Sequence, residues 1–247
     1  MTPEELITAA CPKINEIGPA FYFTAETKAR GKELGLDNFR FYFLGRGGVL
    51  GDTSAEVVLS AFGYFNPGLL ATMWNSAKET VAPGVAAEAF YDCCGALGSS
   101  KFAGIDGLDA FNAAAEKVIS AADPTGLTLF AGIAQMPMPS DPAARAMHLI
   151  AVLREFRGSA HIVALAATGI SHRAAHFIHR PEMIESFGWS KEDAAGLTDA
   201  DRAKLPQAEA LTDKLVLGAF SALDEPGRAA MMHGLDQMTA IMGAEQP

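Results

Sequence analysis

The stretch from Asp141 to Gly169 reads DPAARAMHLIAVLREFRGSAHIVALAATG and predicts one long helix. Asp141 followed by Pro142 is a typical helix start, and a glycine such as Gly169 is a typical helix end. Between them, apolar residues recur every three or four positions. The same spacing recurs along the rest of the chain, while the alternation that is typical of strands is nearly absent. We therefore predict an all-α, multi-helical fold.

Two breaks in this pattern decide the predicted organisation. A helix that starts at Asp37 is expected to end near Leu44, because the run Gly45-Arg46-Gly47-Gly48 is typical of a tight loop. Further along, residues 136–140 read MPMPS and indicate an extended connector. This connector predicts two packed helical halves, an N-terminal half at residues 1–135 and a C-terminal half at residues 141–247.

Composition narrows the classes of protein and partner. Of the 247 residues, 49% are hydrophobic, which is enough for a large core. The formal net charge of -10 opposes nonspecific attraction to nucleic-acid backbones and to anionic membranes. Three cysteines form neither a disulfide framework nor a metal-binding spacing, which favours a reducing compartment. Since no apolar run reaches the length of a membrane span, we expect a cytoplasmic protein with no membrane partner.

The predicted long helix carries charged and histidine side chains among apolar ones, and such groups need a partner when they are buried. At about 100° per residue, Arg154, Arg157 and His161 lie on one side of the helix. His148 and Glu155 lie on nearly the opposite side. The pattern predicts two polar stripes that are flanked by apolar ones.

Two interpretations of these stripes stay open. In the first, the arginines clamp a carboxylate or phosphate and His161 transfers a proton, with the loop around Arg46 adding N-H groups and a guanidinium. In the second, the arginines pair with acids on a neighbouring helix and His161 is a hydrogen-bonded core residue. On the first interpretation His161 is the candidate catalytic residue. The candidate ligand-binding residues are then Arg154, Arg157, His161, Glu155 and Arg46.

A second histidine pattern is H-x3-H-x2-H, formed by His172, His176 and His179 on one helix face. Three imidazoles so placed are a candidate metal site. Three ligands from two turns of one helix rarely reach tetrahedral geometry, however, and the sequence places no cysteine or acid to complete the set. The pattern therefore favours a polar or interface-facing helix surface, and we expect no metal and no cofactor. The common catalytic motifs are also absent from the sequence.

Five strings in the sequence carry a family resemblance. They are Phe43-Leu-Gly-Arg-Gly-Gly-Val-Leu-Gly51, Phe62-Gly-Tyr-Phe-Asn-Pro67, Leu153-Arg-Glu-Phe-Arg-Gly-Ser-Ala-His161, Phe187-Gly-Trp-Ser190 and Leu211-Thr-Asp213. In this order and over most of the chain, they resemble an actinobacterial family of mostly uncharacterised proteins called the helix-turn-helix family. The resemblance implies a helical N-terminal half and a C-terminal half that contains a winged-helix-like unit.

The winged-helix-like unit is shortened in this chain. Where the family continues through two helices and a hairpin wing, Ser190 and Thr198 are only eight positions apart. Residues 191–201 are net acidic, whereas a helix that reads a DNA groove offers Arg, Lys, Asn or Gln. We therefore expect a degenerate helix-turn-helix region and regard nucleic acid as a doubtful partner.

Three functions stay open at this point. The first is a small-molecule-binding, regulatory protein whose anionic ligand lies on an Arg/His face between the helical halves. The second is an enzyme that uses His161 as general acid or base, with Arg154 and Arg157 as an electrostatic clamp. The third is a DNA-binding transcriptional regulator. The sequence also leaves a homodimer open.

Overall fold

The fold is an assembly of helices in a computed structural model that describes residues 1–194 and 196–243. Every regular element in this part of the chain is an α- or 3-10 helix, so the predicted all-α, multi-helical class is confirmed. The α-helices are α1 (Pro3–Ile17), α2 (Ala25–Glu33), α3 (Asn38–Gly47), α4 (Ala55–Phe62), α5 (Pro67–Lys78), α6 (Pro83–Phe102), α7 (Leu108–Ala121), α8 (Thr128–Ile133), α9 (Pro142–Thr168), α10 (His172–His179), α11 (Asp199–Phe220) and α12 (Glu225–Gly243).

Helix α9 lies at the centre of the assembly, with α1, α6, α7, α8 and α11 packed around it. The carboxylate of Asp141 accepts a hydrogen bond from the N-H of Ala144, which caps the first turn. The helix then runs for 27 residues without a break at Gly158. It ends at Gly169, which adopts the left-handed conformation with φ of 69°. The predicted start and end of this helix are confirmed.

The buried side chains form two separate cores. The main core takes buried residues from α1, α3 to α9, α11 and α12, and therefore from the sequence before and after residues 136–140. A smaller satellite core joins the C-terminal end of α9 to α10 and α11, and it contains Ala164, Leu165, Ile170, Ala174, Ala175 and Ala208. The predicted division into residues 1–135 and 141–247 stays a prediction, while the main core is shared by both parts.

The glycine-rich run around Arg46 is helical, so the loop predicted there is wrong. Helix α3 continues through Gly45, Arg46 and Gly47. The glycines permit close packing rather than a turn: a Cβ on Gly45 would lie 2.6 Å from the side chain of Phe90. A Cβ on Gly48 would lie 2.1 Å from the carbonyl oxygen of Pro83. Arg46 therefore projects from the last turn of a helix packed against α6, and no loop of free N-H groups surrounds it.

Helix α1 was not predicted from the sequence, although its signal is present there. Thr2 and Glu5 form a capping box, in which each side chain accepts a hydrogen bond from the other residue's backbone N-H. Pro12 lies inside this helix without ending it. Helix α1 matters for function because it brings Cys11 and Asn15 to the cavity described below.

The region after α10 contains short helical turns rather than a wing. In the described residues there is no strand, and the segment before α11 holds a 3-10 turn at Glu192–Ala194. The preceding Trp189 is fixed by its indole N-H, which donates to the carbonyl oxygen of Tyr64 at 2.6 Å. The side chain of Arg173 lies over the same indole ring. The described part therefore lacks the hairpin of a complete winged helix.

Candidate ligand-binding site

A cavity of about 1150 Å³ lies between the main core and the satellite core. It is larger than the cavities that usually hold drug-sized molecules, which span roughly 300 to 1000 Å³. Phe23 and Phe39 are exposed to solvent and lie against each other at its rim. Aromatic rings form much of its wall, namely Tyr22, Phe23, Phe39, Tyr42, Phe62, Tyr64, Phe65 and Phe187. Such a wall favours a ligand with flat apolar surface.

The first group of charged residues on the wall surrounds the carboxylate of Glu155. Arg46 binds it with two hydrogen bonds, from Nε to Oε1 and from Nη2 to Oε2, both of 2.8 Å. Arg154 donates from Nη1 to Oε1 at 2.7 Å, and the Tyr22 hydroxyl donates to Oε1 at 3.2 Å. Arg46 also donates from Nη1 to the hydroxyl of Tyr42 at 3.1 Å. We call these five residues the Glu155 cluster.

The Glu155 cluster is buried apart from the partly exposed side chain of Arg154, and it carries an excess positive charge. Burial by itself raises the pKa of Glu155, but the charges of Arg46 and Arg154 outweigh it and lower that pKa to about 2. The carboxylate is therefore ionised at neutral pH. Two guanidiniums then face one carboxylate. Arg46 is further stabilised by the ring of Phe62, which lies 4.2 Å from the guanidinium carbon.

Arg154 and Glu155 were expected on different sides of α9, and the structure corrects that expectation. The two backbone positions do diverge by about 100°, as in any α-helix. The long side chain of Arg154 nevertheless reaches around the helix and lies over the ring of Tyr22, where it meets the carboxylate of Glu155. His148 lies elsewhere, buried beside Tyr91.

The second group of charged residues joins α9 to α11. Arg157 donates from Nη2 to Oε2 of Glu209 at 2.8 Å and to Oδ1 of Asp213 at 3.3 Å. Nε2 of His161 lies 3.7 Å from Oε1 of Glu209, and its Nδ1 lies 2.8 Å from the hydroxyl of Thr212. We call these five residues the Glu209 cluster. Because two carboxylates face one arginine, this cluster carries an excess negative charge when His161 is neutral.

The protonation state of His161 follows from its surroundings. The hydroxyl of Thr212 has one proton, which it donates to the carbonyl oxygen of Ala208 at 2.7 Å. It therefore accepts the hydrogen bond from His161, so Nδ1 carries the imidazole proton. Burial lowers the pKa of His161 and outweighs the opposing charge of Glu209. A neutral imidazole then presents the lone pair of Nε2 on the side of Glu209.

The three histidines of α10 take different positions. His176 is buried, its ring lies 4.1 Å from that of Phe187, and its Nε2 has no hydrogen-bond partner in the described structure. His172 lies beside Tyr64, and the exposed His179 borders the cavity. A polar or interface-facing surface was therefore a wrong expectation for His176. Among the described residues, no group of three or more His, Cys, Asp or Glu side chains is placed to hold a metal ion.

All five predicted ligand-binding residues line the cavity. Their binding of a ligand stays a prediction. Tyr22, Tyr42 and the acids that bind Arg157 were not predicted from the sequence. The i,i+4 spacings of Tyr42 to Arg46 and of Glu209 to Asp213 were available signals, because such residues share a helix face. No local pattern marks Tyr22, which follows α1 in an irregular segment.

Comparison with protein families found one that accounts for nearly the whole chain. The helix-turn-helix family matches residues 8–246. The chain belongs to the helix-turn-helix family. Membership supports a regulatory role. Comparison with curated proteins and with solved structures found no match. Within the described residues, none of the helices combines the length and the apolar character needed to cross a membrane.

The five strings that carry the resemblance to the helix-turn-helix family meet at the cavity. Four of them line it directly, and they contribute Arg46, Phe62, Tyr64, Phe65, Arg154, Glu155, Arg157, Gly158, His161 and Phe187. The fifth contributes Thr212 and Asp213, which bind His161 and Arg157. Strings that are far apart in sequence thus build one site.

Proposed function

We propose that this chain is a small-molecule-binding, regulatory member of the helix-turn-helix family, acting in the cytoplasm, and that its ligand is an anion held in the cavity. The observation that carries the proposal is the charge of the wall. Among the described lining residues, five are arginines and two are glutamates, in a chain whose formal net charge is -10. A concave site of opposite sign to the rest of the protein attracts and retains anions.

Thermal shift with a library of anionic, neutral and cationic small molecules tests this proposal. We expect anions to raise the melting temperature of the wild type. The double variant Arg154→Gln with Arg157→Gln should lose that response. Arg145→Gln is the matched control, because Arg145 lies on the same helix and pairs with Glu116 outside the cavity. A library in which no anion stabilises the wild type would overturn the proposal.

A second candidate function is an enzyme with His161 as general base. It is supported by the hydrogen-bond network that assigns the proton to Nδ1 and leaves Nε2 as a free acceptor beside the cavity. In this case His161→Gln should abolish turnover of a ligand found by thermal shift even at ligand concentrations that saturate the variant. If the ligand is chemically unchanged after prolonged incubation with the wild-type protein, this reaction is excluded.

A third candidate function is DNA binding, which the family membership favours. Satellite-core helices α10 and α11 border the cavity, so a bound ligand would contact the C-terminal half, where the family resemblance implies the winged-helix-like unit. Binding to genomic fragments, measured against salt concentration with and without ligand, tests this role. If the protein retains no DNA even at low salt, DNA binding is excluded. A homodimer also stays a prediction, which sedimentation of the full chain would test.

A further inference from the structure

The charged residues of the cavity wall are unequal partners for an anion. In the Glu209 cluster, Arg157 already faces two carboxylates, at 2.8 and 3.3 Å. A further anion at Arg157 would be repelled by Glu209 and Asp213. In the Glu155 cluster, two arginines face one carboxylate. The excess positive charge lies there, so an anionic group gains more from this cluster than from the other.

Within the Glu155 cluster, Arg154 is the residue with donors to spare. Arg46 uses Nε, Nη1 and Nη2 on Glu155 and Tyr42, and its side chain is 8% exposed. In the described part of the chain, Arg154 donates hydrogen bonds from Nη1 alone, to Tyr22 and Glu155, and its side chain is 25% exposed. The Nε and Nη2 edge of a guanidinium matches the two oxygens of a carboxylate. Arg154 can therefore receive a carboxylate without giving up Glu155.

The other end of the cavity wall offers acceptors. Nε2 of neutral His161 and the carboxylate of Glu209 both accept hydrogen bonds, and both residues line the cavity. Arg154 and His161 are seven residues apart on α9, which places their backbones about 10 Å apart at the rise of an α-helix. A ligand that contacts both residues must be extended and must carry a hydrogen-bond donor at its far end.

We propose that the cavity takes an extended aromatic monocarboxylate that carries a hydroxyl or amine at the end remote from the carboxylate. The carboxylate lies on Arg154, the donor group lies on His161 and Glu209, and the aromatic body lies against the rings of the wall. This inference rests on the proposed ligand-binding function and adds the class and the orientation of the ligand.

Isothermal titration calorimetry with the full chain at neutral pH tests the ligand class. The probes are a hydroxynaphthoate, 4′-hydroxybiphenyl-4-carboxylate and a hydroxystilbene-carboxylate, each with its neutral carboxamide and with its analogue lacking the hydroxyl. We expect at least one acid to bind, with its amide and its dehydroxy analogue each about tenfold or more weaker. No binding by any of the three acids, or equal binding by acid and amide, overturns the inference.

Variants test the orientation. Arg154→Gln should remove the preference for acid over amide, while Arg157→Gln should keep it. Arg154→Lys retains the charge but loses the two-donor edge, so it should recover only part of the preference; circular dichroism verifies that each variant is folded. Loss of the preference in Arg157→Gln alone overturns the assignment.

The two proposals fail differently. If anions other than aromatic acids stabilise the wild type and no aromatic acid binds, the inference fails while the proposed anion binding stands. If neither the library nor the acids bind, both proposals fail.

Discussion

The Glu155 cluster and the Glu209 cluster use similar residues from the same helix and differ in burial and charge. Both contain a glutamate bound by an arginine of α9. The side chain of Glu155 is 2% exposed and serves two arginines, whereas that of Glu209 is 40% exposed and shares one arginine with Asp213. The neighbours supplied by α3 and α11 therefore determine which groups each arginine of α9 binds.

The largest difference is expected in stability. Glu155→Gln leaves the buried Arg46 and the partly exposed Arg154 without a counter-charge and should lower the free energy of unfolding by about 3–5 kcal/mol. The matched variant Glu209→Gln should cost about 1 kcal/mol or less, because Glu209 is partly exposed and Asp213 still holds Arg157. Urea unfolding followed by circular dichroism measures both. Equal losses would contradict the contrast between a buried and an exposed cluster.

Acid should remove the difference in stability between the wild type and Glu155→Gln. Because the pKa of Glu155 is about 2 in the folded protein and 4.5 ordinarily, the unfolded chain takes up the proton first as pH falls. The stabilisation is complete above pH 4.5 and is lost towards pH 2, a change on the order of 3 kcal/mol. The stabilities of wild type and Glu155→Gln should therefore converge over this range.

His148 also titrates in this pH range, and its contribution to stability must be separated from that of Glu155. Burial lowers the pKa of His148 to about 4, which also destabilises the fold in acid. This contribution is the same in wild type and in Glu155→Gln, so it cancels in their difference. A difference in stability that stays constant from pH 5 to pH 2 would show that Glu155 does not titrate as inferred.

A smaller effect is expected at Thr212. Thr212→Val removes the acceptor for Nδ1-H of His161 and should cost about 1 kcal/mol. It should also let the imidazole populate both tautomers, which the nitrogen chemical shifts of the ring report. Thr168→Val is the matched control, because the hydroxyl of Thr168 donates to carbonyl oxygens of its own helix, those of Ala164 and Leu165. A ring that keeps one tautomer in Thr212→Val would refute the assigned network.

The smallest effect concerns the pKa of His161. Burial lowers this pKa and the charge of Glu209 raises it, so Glu209→Gln should lower it further. Asp213→Asn should leave it nearly unchanged, since Asp213 bonds to Arg157 instead. Proton chemical shifts of the His161 ring measured against pH give both values. A pKa that rises in Glu209→Gln would reverse the role given to this carboxylate.

The fold was predictable where local signals agree with packing. The start of α9 at Asp141-Pro142 and its end at Gly169 depend on capping and on the left-handed glycine, which are properties of a few neighbouring residues. The run around Arg46 was not predictable in this way. Its glycines permit close contact with Phe90 and Pro83, and contacts with residues so far away in sequence cannot be recognised from the local sequence.

The candidate site was predictable as a set of residues, and its pairings were not. Helix periodicity placed Arg154, Arg157 and His161 on one side of α9. It could not tell that Arg154 would turn towards Glu155 while Arg157 would turn towards Glu209. That division depends on the packing of α3 and α11 against α9, which is a tertiary property.

The separation of the two cores has a mechanical consequence. Helix α11 belongs to the satellite core at Ala208 and to the main core at Val216, and the cavity lies between the two. A ligand that fills the cavity acts as a non-covalent cross-link between the two cores, in addition to the covalent connection through α9 and α11. Amide hydrogen exchange in α10 should then slow when a ligand is bound. Ligand binding would thereby make the C-terminal helices more rigid.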